Sequence, residues 1–150
     1  MNRSPLDAID RQIVAELGQN GRISFAELGR RVSLSSPAVT DRVRRLEESG
    51  VITGYRAEID PRALGYNLTA IVRVKPAVRQ LSKVAELAAE IPQIEECLRI
   101  TGEDCFYMKV HLGAIEELPS VLDRFLLYGE TTTSIVNATP VSRRDPPARG

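Results

Sequence analysis

One histidine and two cysteines in 150 residues remove several classes of function at once. His111 has no metal-ligating partners at plausible spacing. No Ser/His/Asp arrangement, Walker loop or zinc cluster occurs, so no metal, cofactor or catalytic residue is expected. Cys97 and Cys105 are too few to frame a chain of this length with disulfides. They read as buried or inert thiols of a reduced, cytoplasmic protein, with redox sensing as the alternative. No run reaches the roughly 18 to 20 apolar residues of a membrane-spanning helix, and the opening "MNRSPLDAIDRQ" has no apolar signal core. Net charge is lacking too: 20 basic residues meet 20 acidic ones, which argues against a bulk electrostatic binder of nucleic acid.

That neutrality hides a polarised chain. Residues 30–45 carry Arg30, Arg31, Arg42, Arg44 and Arg45 against Asp41 alone, a local net of +4. Residues 86–117 carry eight acids against Arg99 and Lys109, a net of −6. With 43% hydrophobic content, the chain can build one ordinary core or two small ones.

In the first sixty residues the apolar spacing is helical. Leu6, Ile9, Ile13, Val14 and Leu17 predict a first helix starting at Ser4, with Pro5 in its first turn and "GQNGR" ending it. Ser24, with Glu27 three residues on, predicts a capped second helix that buries Leu28 and Val32. Three residues later, "SSPAVTDRVRRLEESG" predicts a third, capped by Ser35 or Ser36 and stopped by Gly50. Its Val39, Val43 and Leu46 share one face, with Asp41, Arg44 and Arg45 roughly opposite. "VITGYRAEID" then reads as a hairpin about Thr53-Gly54. Three helices, a tight turn and a hairpin make a winged helix-turn-helix.

From Asn67 the pattern changes. "LTAIVRVK" (68–75), "IEECLRIT" (94–101), "CFYMKVHL" (105–112) and "TTTSIVNATPV" (131–141) read as strands. "QLSKVAELAAEI" (80–91) and "IEELPSVLDRFLLY" (115–128) read as helices, the latter with Pro119 near its start. A turn on Gly102-Glu103 sets Cys97 opposite Met108. The order β-α-β-β-α-β is the ferredoxin-like arrangement, and the class is α+β. The expected division is residues 1–60 for the winged helix-turn-helix, 61–66 as linker, 67–141 for the ferredoxin-like domain and 142–150 as a flexible tail. Helices on one sheet face leave the other needing cover, so a second copy of the chain is expected there.

The first half suits double-stranded DNA. A capped helix N-terminus favours phosphate. Ser35, Ser36 and Thr40 are short enough to approach base edges, beside Asp41 on the same helix. Arg30, Arg31, Arg42, Arg44 and Arg45, with Arg56 in the wing, are suited to phosphate or guanine. Which arginines meet bases does not follow from spacing, and a solvated helix with surface ion pairs is the plain alternative.

"LDAIDRQIVAEL", "GRISFAELGRRVSLSSPAVTDRVRRLEESGVITGYRAEIDPRALGY", "ITGEDCFYMKV" and "TTTSIVNATPV" resemble the Lrp/AsnC (leucine-responsive, feast/famine) transcriptional regulators over roughly residues 6–141. The resemblance implies a DNA-binding winged helix-turn-helix and a ferredoxin-like domain for effector binding and oligomerisation. It also implies dimers assembling further, often to octamers, with a small molecule, commonly an amino acid, bound near subunit interfaces. It puts the effector at the turn Thr101, Gly102, Glu103, Asp104 and Cys105. Many members have an aspartate where Cys105 stands, after an aromatic where Asp104 stands, so this chain departs from the pattern. Glu103 and Asp104 are suited to an α-ammonium. Thr133 and Ser134 are further pocket hydroxyls, and "TGED" as a simple hairpin turn is the competing reading. Rival functions are an architectural DNA protein without effector and an enzyme like the siroheme decarboxylases, which resemble this family in architecture. The latter needs a basic pocket, where this half of the chain is acidic.

Overall fold

The computed structural model describes residues 6–146, which fall into two compact units: residues up to Glu58 with those from Ser142 on, and Ile59–Val141. The first unit holds three helices, α1 (Ala8–Gln19), α2 (Phe25–Arg31) and α3 (Ser36–Glu48). The start of α1 is set by a reciprocal capping box, in which the Asp7 carboxylate accepts from the Asp10 N–H and Asp10 returns the contact. The expected start at Ser4 and Pro5 lies outside the described residues. Ser24 caps α2 through the Glu27 N–H, and Ser35 caps α3 through the Ala38 N–H. The core of this unit is Ile13, Leu28, Val32, Val39, Val43 and Leu46, the stripes expected from helical spacing.

The turn between α2 and α3 is tight. Ser33 takes a left-handed φ of 57°, and the Leu34 N–H donates to the Gly29 carbonyl at 2.8 Å. A Cβ at Gly29 would lie 2.6 Å from the Leu34 carbonyl oxygen, so only glycine lets the chain double back here.

The expected wing hairpin is absent: residues 51–60 carry no strand. The Val51 and Ile52 N–H groups both donate to the Leu46 carbonyl, at 2.9 and 3.0 Å, and both side chains pack on the helical core. With their N–H donors and side chains committed to α3, these residues cannot donate to a partner strand at Tyr55 and Arg56. Tyr55 instead donates its hydroxyl to Glu47 at 2.8 Å; loss of water around it, with that carboxylate beside it, pushes its pKa up to about 12.

The second unit is a four-stranded antiparallel sheet of order β2-β3-β1-β4: β1 (Leu68–Pro76), β2 (Ile94–Arg99), β3 (Phe106–Leu112) and β4 (Gly129–Ile135). The crossovers carry α4 (Leu81–Glu90) and the short α5 (Leu118–Leu122). This is the βαββαβ order expected. Ala70, Val72, Val74, Phe106, Met108, Val110 and Leu112 line one sheet face and are buried. All but Ala70 form one core with Val84, Leu87, Ala88, Ile91, Val121 and Phe125. Cys97 stands opposite Met108, the register expected from the turn. The last helix is shorter than its pattern: α5 begins at Leu118 with Pro119 in its first turn, turns follow Leu122, and Leu126 is exposed rather than buried. Strand β4 stops at Ile135, short of the expected 141.

Alternate residues (Thr69, Ile71, Arg73, Lys75, Tyr107, Lys109) project from the second face, away from that core. Most are only half exposed, and no residue of α4 or α5 joins them in a core cluster.

Gly29→Ala should destabilise the first unit by about 1–3 kcal/mol, because a backbone oxygen rather than a flexible side chain must give way. A lowered urea midpoint is expected; an unchanged one would show that the turn opens freely.

Candidate nucleic-acid interface and ligand turn

α3 presents its polar face as the pattern requires, since Ser36, Thr40, Asp41, Arg44 and Arg45 are all exposed. What the pattern did not show is how fully these groups are already engaged. Ser35 uses its hydroxyl oxygen as the cap, and Thr40 donates back to the Ser36 carbonyl at 2.8 Å. Arg44 meets Asp41 at 2.6 Å and Glu48 at 3.9 Å, and Arg45 meets the other Asp41 oxygen at 3.3 Å. The Arg44 guanidinium, with Arg45 and Arg42 beyond it, holds the Asp41 carboxyl below the usual carboxylate range. On α2, Arg30 pairs with Glu27, and Arg31 bridges Glu27 at 2.9 Å and Glu16 at 2.6 Å. Arg31 is the main cause of the lowered Glu27 pKa.

Arg42 stands apart from the others. Its side chain is 22% exposed and donates to Asp7 at 2.6 Å and Asp10 at 2.7 Å, tying α3 to the capped start of α1. The Asp7 carboxyl is held down first by the Asp10 N–H and then by Arg42. Arg42 is thus occupied in holding the helices together, while Arg44 and Arg45, at 63% and 59% exposed, remain open to a partner. Exposed pairs of this kind are worth about 0–1 kcal/mol, so a phosphate can displace their carboxylates at little cost. Arg56 makes no ion pair among the described residues.

In the second unit the turn Thr101–Cys105 projects between β2 and β3, with Gly102 at a left-handed φ of 116°. Its acids lean onto β1: Asp104 lies 3.4 Å from Arg73, and Glu103 lies 3.4 Å from Lys75. These two cations were missed in the sequence, although their i, i+2 spacing in "VRVK" puts both on one strand face. Cys105 packs on the helix-covered core, its thiol 3.7 Å from the Gly102 and Glu103 carbonyl oxygens. Thr133 and Ser134 point to opposite faces. Thr133 stands opposite Val72 on the helix side, where its hydroxyl is buried without a partner among the described residues. Ser134 stands opposite Ile71 on the open side.

Two clefts lie elsewhere in this unit. One of about 540 Å³ runs between α4 and edge strand β2, past Ala85, Ala88, Phe106, Cys97 and Arg99. The other, of about 340 Å³, is lined by Asp60, Arg62, Tyr66, Asn67 and Asn137, among others. Cys97 is exposed rather than buried, since β2 is an edge strand, and the packing around it pushes its thiol pKa up. His111 is only 9% exposed. Its Nδ1 lies 3.1 Å from the Thr69 hydroxyl and its Nε2 lies 2.8 Å from Glu95, which Lys109 also grips at 2.7 Å. Lys109 first, then His111, holds the Glu95 carboxyl below its usual range. Among the described residues no group of acids, histidines and cysteines could hold a metal, and no helix is long and apolar enough to cross a membrane.

The chain matches the AsnC-type helix-turn-helix domain over residues 6–47 and the Lrp/AsnC ligand binding domain over residues 69–146. It is 34% identical to the HTH-type transcriptional regulator LrpC of Bacillus subtilis over 87% of this chain and 91% of that protein. The LrpC structure superimposes with a TM-score of 0.88 at 32% identity, covering 93% of this chain and all of the other. The leucine-responsive regulatory protein of Rhizobium meliloti is 39% identical over 90% of this chain and 86% of its own length. A feast or famine regulatory protein from M. tuberculosis, solved as a complex with L-methionine, has a TM-score of 0.88 at 35% identity. That match covers 95% of this chain and 99% of the other. With both domains matched in order, the chain belongs to the Lrp/AsnC family and is a transcriptional regulator with a helix-turn-helix and a ligand-binding domain.

Proposed function

We propose that this regulator binds double-stranded DNA sequence-specifically as a homodimer that assembles further, and that a free amino acid acts as its effector. Residues 1–60 serve as the DNA-binding domain and residues 67–141 as the oligomerisation and effector domain, in a cytoplasmic protein whose two cysteines stay free. The observation that carries the reading is the exposed face of α3. Arg44 and Arg45 share one carboxylate there, on a capped helix that follows a tight turn. Placed in the major groove, that face gives Arg44, Arg45, Ser36 and Thr40 to the DNA, with Arg30, Arg31 and Arg56 as flanking phosphate partners. Arg42 acts through its hold on α1.

One such helix reads few bases, and a dimer supplies two half-sites. The open sheet face, with Ile71 and Tyr107 half buried and neither α4 nor α5 packed on it, is the surface we assign to subunit pairing. The L-methionine complex of the tuberculosis relative supports an amino-acid effector here. We place it at Thr101–Cys105, where Asp104 and Glu103 offer carboxylates to an ammonium. The ligand regulates by binding one assembly state more tightly than another.

Arg44→Ala with Arg45→Ala should lower DNA affinity on the order of tenfold to a hundredfold and flatten its dependence on salt by about two phosphate contacts. A gel-shift salt series matching the parent protein would sink the assignment of α3. Asp104→Ala should abolish most of the effector response while leaving ligand-free DNA affinity intact. An undiminished response would move the effector site elsewhere.

A further inference from the structure

A carboxylate in the middle of a basic face that meets a polyanion weakens the hold of that face on every phosphate near it. Asp41 is such a group: it is the sole acid among residues 36–45 of α3, and its side chain is 50% exposed. We propose that Asp41 is a specificity-determining residue of the DNA-binding face. It accepts from the amino group of a cytosine whose paired guanine Arg44 reads, and it opposes binding to sequences that lack this base pair. This rests on the reading of α3 as the helix that enters the major groove.

Asp41 is built to act jointly with the arginines. Arg44 and Arg45 follow it by three and four residues, the spacing that brings side chains together on one helix face. One carboxylate oxygen lies 2.6 Å from Arg44 and the other 3.3 Å from Arg45. Other polar groups near the start of the helix are committed locally, since Ser35 caps it and Thr40 donates to the Ser36 carbonyl. Glu47 and Glu48 lie at the far end, where Glu47 accepts from the Tyr55 hydroxyl. The N-terminal part of a recognition helix is the part that approaches base edges, and there Asp41 is the one anionic acceptor.

Different stretches of DNA treat this carboxylate differently. On an arbitrary sequence the two guanidinium groups turn to phosphate, which is present all along the duplex. Asp41 then loses both partners and is left charged beside the phosphates. A G·C pair removes that conflict. Guanine shows two adjacent acceptors in the major groove, O6 and N7, which suit the fork of Arg44, and the cytosine of the same pair shows its N4 amino donor beside them. Arg44 and Asp41 laid across this pair keep their own contact, and each gains a base. An A·T pair fails the test, because its acceptors stand on either side of the adenine amino group and the guanidinium loses its bidentate partner. Attraction to one base pair and repulsion from the rest then come from a single side chain.

Selection of bound duplexes from a randomised pool, made with the full chain, provides the test. Affinities for a selected duplex and for one of mixed sequence complete it. In the parent protein each selected half-site should carry a fixed G·C pair that both Asp41→Ala and Arg44→Ala erase. Asp41→Ala should also bind the mixed-sequence duplex more tightly than the parent does, so that the ratio of the two affinities falls on the order of tenfold or more. An unchanged base preference in Asp41→Ala would overturn the proposal, as would preferences lost at different base pairs in the two variants. Equal loss of affinity for both duplexes in Asp41→Ala would overturn it too, by showing that the carboxylate only holds the arginines in place. These outcomes leave the assignment of α3 standing; that assignment fails only if Arg44→Ala with Arg45→Ala leaves DNA affinity unchanged.

Discussion

A four-stranded sheet that packs both its helices on one side must find something else for its other side, and the organisation of this protein follows from that constraint. The helix-facing residues are almost fully committed: Val72, Val74, Met108, Val110 and Leu112 have no exposure at all. The opposite face alternates between apolar and charged, with Ile71 and Tyr107 set among Arg73, Lys75 and Lys109. Such a surface is too apolar to be left to water and too charged to be a core. A polar-rimmed contact between copies of the chain suits it, with the rim supplied by the cations of β1 and β3 and the acids of the ligand turn. The turn proposed for the ligand leans on that face through Arg73 and Lys75, so on that proposal a ligand meets residues that also border the proposed pairing surface. Coupling between effector and assembly then needs no long pathway.

The helix-turn-helix obeys a different rule: its basic residues are held in reserve by weak local pairs. Arg30 and Arg31 share Glu27, and Arg44 and Arg45 share Asp41. These arrangements keep the side chains oriented, yet each is shallow enough to be exchanged for phosphate. Arg42 sits deeper and bridges two carboxylates of α1, so it shapes the surface without belonging to it. Of five arginines close in sequence, Arg30, Arg44 and Arg45 make only local pairs, while Arg31 reaches Glu16 and Arg42 reaches Asp7 and Asp10, each fastening its helix to α1.

Much of this was legible in the sequence because it depends on local chemistry. Helical spacing located Val39, Val43 and Leu46, serine caps located the starts of α2 and α3, and one turn at Gly102 fixed the pairing of Cys97 with Met108. What failed depended on competition between contacts far apart or equally plausible. The hairpin around Gly54 lost to the Leu46 carbonyl, which takes both the Val51 and Ile52 donors. The final helix lost its second half after Leu122 although its apolar spacing continued to Leu126. No spacing rule could have paired Arg42 with Asp7 across 35 positions, or Arg73 with Asp104 across the sheet. Thr133 and Ser134 were read together, and strand alternation separates them.

The claim on which the rest turns is that the open sheet face joins two chains and that this pairing makes DNA binding effective. Ile71 lies near its centre, between Lys109 and Ser134 on the adjoining strands. Ile71→Arg adds a charge to a face that already carries Arg73, Lys75 and Lys109, while leaving the helix-covered core and the helix-turn-helix untouched. Sedimentation of this variant, measured with its affinity for a duplex bearing two half-sites, is the direct measurement. A folded single chain, with affinity reduced to that for one half-site, is the result the account predicts. A dimer that binds DNA like the parent protein would contradict it.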